Sequence, residues 1–291
     1  MEIPMKAAIL NSFGGADVLR ITDRPRPIPK SGEVLIRVQA SSVNPVDLGV
    51  RSGKILPLEP DLFPMILGWD AAGTIEALDP EAKGFNIGDR VMAISQQPGA
   101  RVGTHAEFVA LPADQVMAIA DTIPFTTAAA LPLIGTTALS ALRALDLPKG
   151  ARILINNPDG AVGGMAAAIA PLLGFVLADA NEINIDGAVD VRGNEHAQKA
   201  FAAVKDGGAY VTIVPEWWKP DGVFTAARGI TPVDVENPAN REVLEPLAAW
   251  LAQGALMPQI GDILPLDQIA EAHQRLEAPG RTQKIVLDHI C

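Results

Sequence analysis

A chain of 291 residues, 48% of them apolar and 20% charged, is long enough for two domains and too rich in core-forming side chains for wholesale disorder. Its net charge of -11, with no basic run, argues against a nucleic-acid partner, because phosphate contacts need clustered Lys and Arg. The one cysteine, Cys291, excludes an internal disulfide and a four-cysteine zinc site, and it fits a reducing, cytoplasmic setting.

The first residues show no charged segment leading into an apolar core, so no secretory leader is expected. Residues 6–10, 34–38 and 72–78 carry apolar side chains at strand spacing, divided by turn formers such as Pro25-Arg26-Pro27 and Gly88-Asp89. Residues 107–111 add a short strand. Residues 126–145 change to helical spacing and give way to Pro148-Lys149-Gly150. Strands are then predicted at 153–155, 175–178, 188–191 and 209–214, with helices from 160 and over 195–204, the latter ended by Asp206-Gly207-Gly208. A strand near 231–235, helices over 241–253 and 266–276, and a strand at 284–287 complete the chain. Strands alternating with helices in the middle predict an α/β fold with a doubly wound parallel sheet. The nearly apolar run 160–178 approaches membrane length, but four glycines and Pro171 divide it. A buried α/β unit is therefore expected, with no membrane partner.

Residues 151–174 are the most informative stretch. The apolar run Ile153-Leu154-Ile155 ends at Asn156 and Asn157, and Gly160-Ala161-Val162-Gly163 opens an Ala-rich helix. A helix N-terminus after a strand offers unpaired N–H groups and a positive dipole end to an anion, the layout that holds a dinucleotide pyrophosphate. Pro158 stands where that fingerprint expects its first glycine or alanine, and it has no N–H to donate. Glycines serving only the turn and close packing are the other reading of Gly160 and Gly163.

Several segments together resemble the medium-chain dehydrogenase/reductase superfamily, and within it the zinc-free quinone oxidoreductases. They are Ser42-Val43-Asn44-Pro45-Val46-Asp47, the run from Pro64 through Gly68-Trp69-Asp70 to Gly73, Gly88-Asp89-Arg90-Val91, Gly103-Thr104-His105-Ala106-Glu107-Phe108, Gly135-Thr136-Thr137-Ala138 and Lys284-Ile285-Val286-Leu287. The resemblance implies a GroES-like β-barrel domain over 1–120 and 246–291, and a Rossmann-type domain over 121–245. It also implies NADPH or NADH as cofactor, a small-molecule substrate and a homodimer built through the strand near 231–235, where Pro232 removes a donor. Asn44 and Asp47 would border nicotinamide and substrate, and Thr137 would meet the nicotinamide side. Gly160, Ala161, Val162 and Gly163 would hold the pyrophosphate, and Lys284 would reach a cofactor phosphate unless it is a solvated strand-end lysine. His105 stands where relatives often carry Tyr, which implies a proton donor; a core or surface histidine is the alternative. Zinc-dependent relatives use a Cys near position 44 and Gly-His-Glu near 68, where this chain has Asn44 and Gly68-Trp69-Asp70, so no metal is expected.

Two departures bear on the cofactor. About nine residues separate the strands at 175–178 and 188–191, too few for a crossover helix. A helix and a strand are therefore expected to be missing from the half that surrounds adenosine. The ribose-reading position falls at Asp179 to Glu182, and a carboxylate there would accept from a ribose hydroxyl but repel a 2′-phosphate. The expected function is zinc-independent, NAD(P)H-dependent reduction of a quinone or conjugated enone. The alternatives are cofactor-free cyclisation, isomerisation or dehydration with Asp47, Asp70 or His105 as acid or base, and a non-catalytic binding protein on the same scaffold.

Overall fold

The computed structural model describes residues 3–55, 63–96, 102–214, 228–235, 239–280 and 282–290. Two compact units divide it: Met1–Leu133 with Ala239–Cys291, and Ile134–Pro238. Residues 121–133 and 239–245, assigned by the resemblance to the Rossmann-type part, thus fall in the first unit.

The first unit opens with β1 (Pro4–Leu10) and β2 (Leu19–Pro25), then β3 (Glu33–Val43), α1 (Pro45–Arg51), β4 (Met65–Ile66), β5 (Asp70–Leu78), β6 (Arg90–Ile94), β7 (Phe108–Pro112), β8 (Val116–Ala118) and α2 (Phe125–Ala129). The next helix, α3 (Pro132–Ala144), leads into the second unit. Residues 126–145, expected as one helix, are therefore two. Pro132 has no N–H and disfavours helical geometry at Leu131, so the chain breaks there and restarts with proline in the first turn.

The second unit contains β9 (Arg152–Asn156), α4 (Ala161–Leu173), β10 (Val176–Leu177), β11 (Ile185–Asp190), α5 (Asn194–Ala203), β12 (Val204–Thr212) and β13 (Val233–Asp234). Their order is β10-β9-β11-β12-β13, with every pair parallel. The chain passes from β10 to β11, on opposite sides of β9, with no helix between them. This is the shortened doubly wound sheet that the spacing predicts. Among the described residues the sheet stops at β10, whose Val176 and Leu177 are 42% and 40% exposed. Leu154, Ala188, Ala197, Ala200 and Tyr210 form this unit's core. At the other edge, Pro232 precedes the paired residues of β13 and so removes no donor from the ladder.

The chain returns to the first unit with α6 (Arg241–Ala252), β14 (Ile260–Pro265), α7 (Ile269–Glu277) and β15 (Lys284–Asp288). One sheet runs β2-β1-β4, and a second runs β14-β15-β3-β5-β6-β8, with β7 also on β3. The long strand β3 organises this unit. Residues 33–37 pair with β7 and residues 40–43 with β15, while β5 lies along its other side, with register shifts near Leu35 and Val38. Such shifts bend a strand. Val34, Ile36 and Val38 feed one core cluster, whereas Val43 joins Ile285 and Leu287 in another. No helix among the described residues is long and apolar enough to cross a membrane.

Candidate functional site

The end of β3 and the start of α1 hold the first group of polar side chains. Asn44 is extended (φ -126°) and forms the N-cap of α1, with Pro45 in the first turn. The Asp47 carboxylate reaches back to accept from the Asn44 N–H at 2.8 Å, satisfying one of the helix's early amides. Its second oxygen accepts from the Gly68 N–H at 3.0 Å. Gly68 adopts φ +101°, and a Cβ there would lie 2.4 Å from Thr104 Oγ1 and 2.7 Å from His105 Nδ1. Only glycine combines that backbone with that close approach.

Asn44 also anchors a buried charge. Its amide nitrogen donates to Asp70 Oδ2 at 2.8 Å and to the Ser42 carbonyl at 3.2 Å. Its amide oxygen accepts from the Lys284 ammonium, which fixes the amide orientation because lysine can only donate. Lys284 Nζ lies 3.5 Å from Asp70 Oδ2, and the two side chains are 3% and 0% exposed. Asp70 further accepts from the Ser42 hydroxyl and, at 2.6 Å, from the Leu133 N–H. Burial pulls the Lys284 pKa down, opposed by the charges of Asp70 and Asp47. Burial pushes the Asp47 carboxyl up to about 7, and its two backbone donors oppose the rise.

His105 follows on the segment leading into β7, held by its N–H on the Leu67 carbonyl at 3.0 Å. It is fully buried, and Nε2 lies 4.0 Å from Asp47 Oδ2 without a hydrogen-bond partner. Burial holds its pKa well below the ordinary histidine value, so the ring is neutral. Asn44, Asp47, His105 and Lys284 thus lie in one connected interior of the first unit. Lys284 is neither solvated nor at a surface where a phosphate could lie, because its ammonium faces Asn44 and Asp70. Three members are not singled out as site residues by the sequence: Ser42, which donates to Asp70, and Ser41 and His289, whose side chains meet each other beside His105. Adjacent serines in an apolar strand project to opposite faces, so each places one hydroxyl on a different side of β3.

The second unit carries the glycine turn. Asn157 takes φ 72° after β9, and the Gly160 N–H donates to its carbonyl at 3.1 Å. A Cβ on Gly163 would lie 2.0 Å from that carbonyl, so Gly163 is required for helix-to-turn packing. Gly160 is the N-cap of α4 and supplies no side-chain cap, so its first turn keeps its orphan amides. Beside it, the ends of three strands are tied together. Asn156 donates to Asp190 Oδ1 at 2.5 Å and accepts from the Val191 N–H at 2.7 Å. Thr212 Oγ1 donates to Asp190 Oδ2 at 2.9 Å. The strand order reverses at β9 and β11, the point where open parallel sheets bind ligands outside their carboxyl ends. Thr137 lies half-buried on α3. Glu182 is engaged by Arg152 at 2.5 Å in a surface ion pair and accepts from the Asp179 backbone N–H at 3.3 Å, so one of the two ribose-reading candidates is already paired.

Among the described residues no cluster of three or more His, Cys, Asp or Glu is arranged to hold a metal ion. Residues 30–121 match the alcohol dehydrogenase GroES-like domain, and residues 172–287 match a family described as zinc-binding dehydrogenase. The chain is 30% identical to the quinone oxidoreductase of Pongo abelii, covering 97% of each protein. It is 33% identical to the chloroplast envelope quinone oxidoreductase homolog of Arabidopsis thaliana, over 84% of this chain and 77% of that one. The quinone oxidoreductase structure from Coxiella burnetii superposes with a TM-score of 0.84 at 26% identity, covering 98% of this chain and 99% of that one. These matches span both units, and the chain belongs to the medium-chain dehydrogenase/reductase superfamily, among its quinone oxidoreductase-like members.

Proposed function

We propose that this protein is a zinc-independent, nicotinamide-dinucleotide-dependent reductase of quinones or conjugated enones. The observation that carries this reading is the turn at the end of β9. There, close packing demands Gly163, and α4 begins with no side-chain cap, leaving its first amides to an anion. The pyrophosphate half of a dinucleotide fits these residues: the amides of Ala161, Val162 and Gly163 would bind it, and the Asn156–Asp190–Thr212 bridge would brace the strand ends beneath it. When bound, the cofactor supplies hydride. In the first unit, the Asn44–Lys284–Asp70 network fixes the backbone that opens α1, with both charges buried and paired.

A cofactor-free enzyme on the same fold is the second reading. It is favoured by the sheet stopping, among the described residues, at β10, where the adenosine half would be bounded, and by the pairing of Glu182 with Arg152. Titration with NADPH and NADH, followed by nicotinamide fluorescence, separates the two. Saturable binding below about 1 mM, worth roughly 4 kcal/mol, followed by turnover of a model quinone, supports the reductase. Folded protein that binds neither dinucleotide overturns it.

A further inference from the structure

One buried polar series in the first unit has no part in fixing Asn44. Ser41 is fully buried on β3, on the opposite face from Ser42. Its hydroxyl lies 3.0 Å from His105 Nδ1 and 2.9 Å from His289 Nε2. The other nitrogen of His105 faces Asp47 Oδ2 at 4.0 Å and has no hydrogen-bond partner. The half-buried His289 is held by its N–H on the Gln39 carbonyl at 3.0 Å, and the Ala106 carbonyl faces its ring without closing a hydrogen bond on Nδ1.

The hydrogen count restricts this series to two arrangements. A serine hydroxyl has one hydrogen, so between two neutral imidazoles it donates to one and accepts from the other. If Asp47 is protonated, its O–H points to His105 Nε2, His105 Nδ1–H donates to Ser41, Ser41 donates to His289 Nε2, and His289 carries its hydrogen on Nδ1. If Asp47 is ionised, every hydrogen reverses: His289 Nε2–H donates to Ser41, Ser41 donates to His105 Nδ1, and His105 Nε2–H faces the carboxylate. We propose that Asp47, His105, Ser41 and His289 form one proton chain, in which the charge state of Asp47 sets which nitrogen of each histidine carries hydrogen.

The transfer balances. Asp47 gives its proton to His105 Nε2, His105 Nδ1 passes one to Ser41, Ser41 passes its own to His289 Nε2, and His289 Nδ1, buried beside the Ala106 carbonyl, gives one to a water molecule that reaches the partly exposed ring. The 4.0 Å joint between Asp47 and His105 closes to a hydrogen bond with a shift of about 1 Å.

The surrounding charges leave this series intact. Asp47 also faces Asp70 and Lys284, and Lys284 bears on His105 as well. Asp288 lies beside His289. His273 packs edge-on to His105 with ring centroids 6.5 Å apart, and its Nε2 has no partner. Two unpartnered imidazole nitrogens near a carboxylate would suit a metal, but Arg51 Nη1 lies 3.3 Å from His273 Nδ1. A guanidinium can only donate, so the neutral His273 ring carries its hydrogen on Nε2 and has no lone pair there to offer.

The proton chain rests on the first unit's geometry and not on the reductase reading. The test is nitrogen-15 NMR of the histidine rings in the full protein, without dinucleotide, from about pH 5.5 to about 8.5. Both His105 and His289 should pass from the Nδ1–H to the Nε2–H form with one shared midpoint. Asp47→Asn should abolish the switch, and Ser41→Ala should leave His289 unlinked from His105. A wild-type protein in which either ring keeps one form throughout overturns the proposal, whether or not the variants fold. So does a Ser41→Ala variant in which the two midpoints still coincide. Failure to bind NADPH leaves this readout unaffected, so the two hypotheses fail separately.

Discussion

Lys284 and Asn44 are 240 positions apart in sequence, yet the ammonium of the first donates to the amide oxygen of the second inside the same interior. The contact joins the last strand of the first unit to the cap of its first helix. It also sets the Asn44 amide so that its nitrogen faces Asp70.

Removing the lysine should therefore be costly. Lys284→Met leaves the Asp70 carboxylate, 0% exposed, without its cation, and loss of one partner of a buried pair costs about 3–5 kcal/mol. The double variant Lys284→Met/Asp70→Asn should recover much of that loss. Urea denaturation of the two single variants and the double variant measures the coupling, and strict additivity would count against the pair.

Gly68→Ala should destabilise the first unit by about 1–3 kcal/mol from its left-handed backbone alone. The collision of the new Cβ with Thr104 and His105 adds to this. Because Gly68 also donates to Asp47, the histidine resonances of His105 should shift in the folded fraction. Thermal unfolding and a one-dimensional imidazole spectrum test both expectations.

Stability should fall on acidification below the ordinary histidine pKa. His105 and His273 are buried neutral, the second pushed down to about 3 by burial with help from Arg51. Both take up protons in the unfolded chain from pH 6.5 downward before the native state does. Asp47 acts in the opposite sense: its folded pKa of about 7 exceeds the unfolded 3.8, so its contribution is present at low pH and lost as pH rises to 7. Each net proton is worth about 1.4 kcal/mol per pH unit. Denaturation midpoints from pH 4 to 8 should rise more gently in His273→Gln than in the parent protein.

Ala161→Asp separates helix stability from dinucleotide binding. A carboxylate in the first turn of α4 favours the helix by about 0.3–1 kcal/mol. The same charge would meet a bound pyrophosphate, so NADPH affinity should drop at least about tenfold, or about 1.4 kcal/mol. A variant that gains stability and keeps full affinity would show that the phosphates lie elsewhere.

Local signals made the parallel sheet legible. The Ile153-Leu154-Ile155 run, the glycine turn and the short link before Ala188 predict β9, α4 and a sheet that ends early; the structure shows all three among the described residues, with β11 beginning sooner, at Ile185. Weakly patterned elements were harder to read. The β2, β6, β8 and β14 strands are short or edge-like, so little apolar alternation marks them even though each pairs with a strand close in sequence. In the interior of the first unit, family motifs singled out Asn44, Asp47, His105 and Lys284. Their partnerships did not show, because Ser41 and His289 meet only when β15 lies against β3. A lone serine in an apolar strand carries no such information until its cross-strand neighbours are known.

The order in which the chain is made gives the placement of β15 a further consequence. The second unit is a continuous stretch, whereas the first unit is interrupted by it and needs β14 and β15 to cover one side of β3. During synthesis the second unit can close while β3 still shows bare backbone to water or to a chaperone. Lys284 arrives last, and until then the Asp70 carboxylate has no buried cation. A polypeptide stalled before residue 284 would therefore carry one finished unit and one unfinished unit, and quality control would recognise it by its open strand edge.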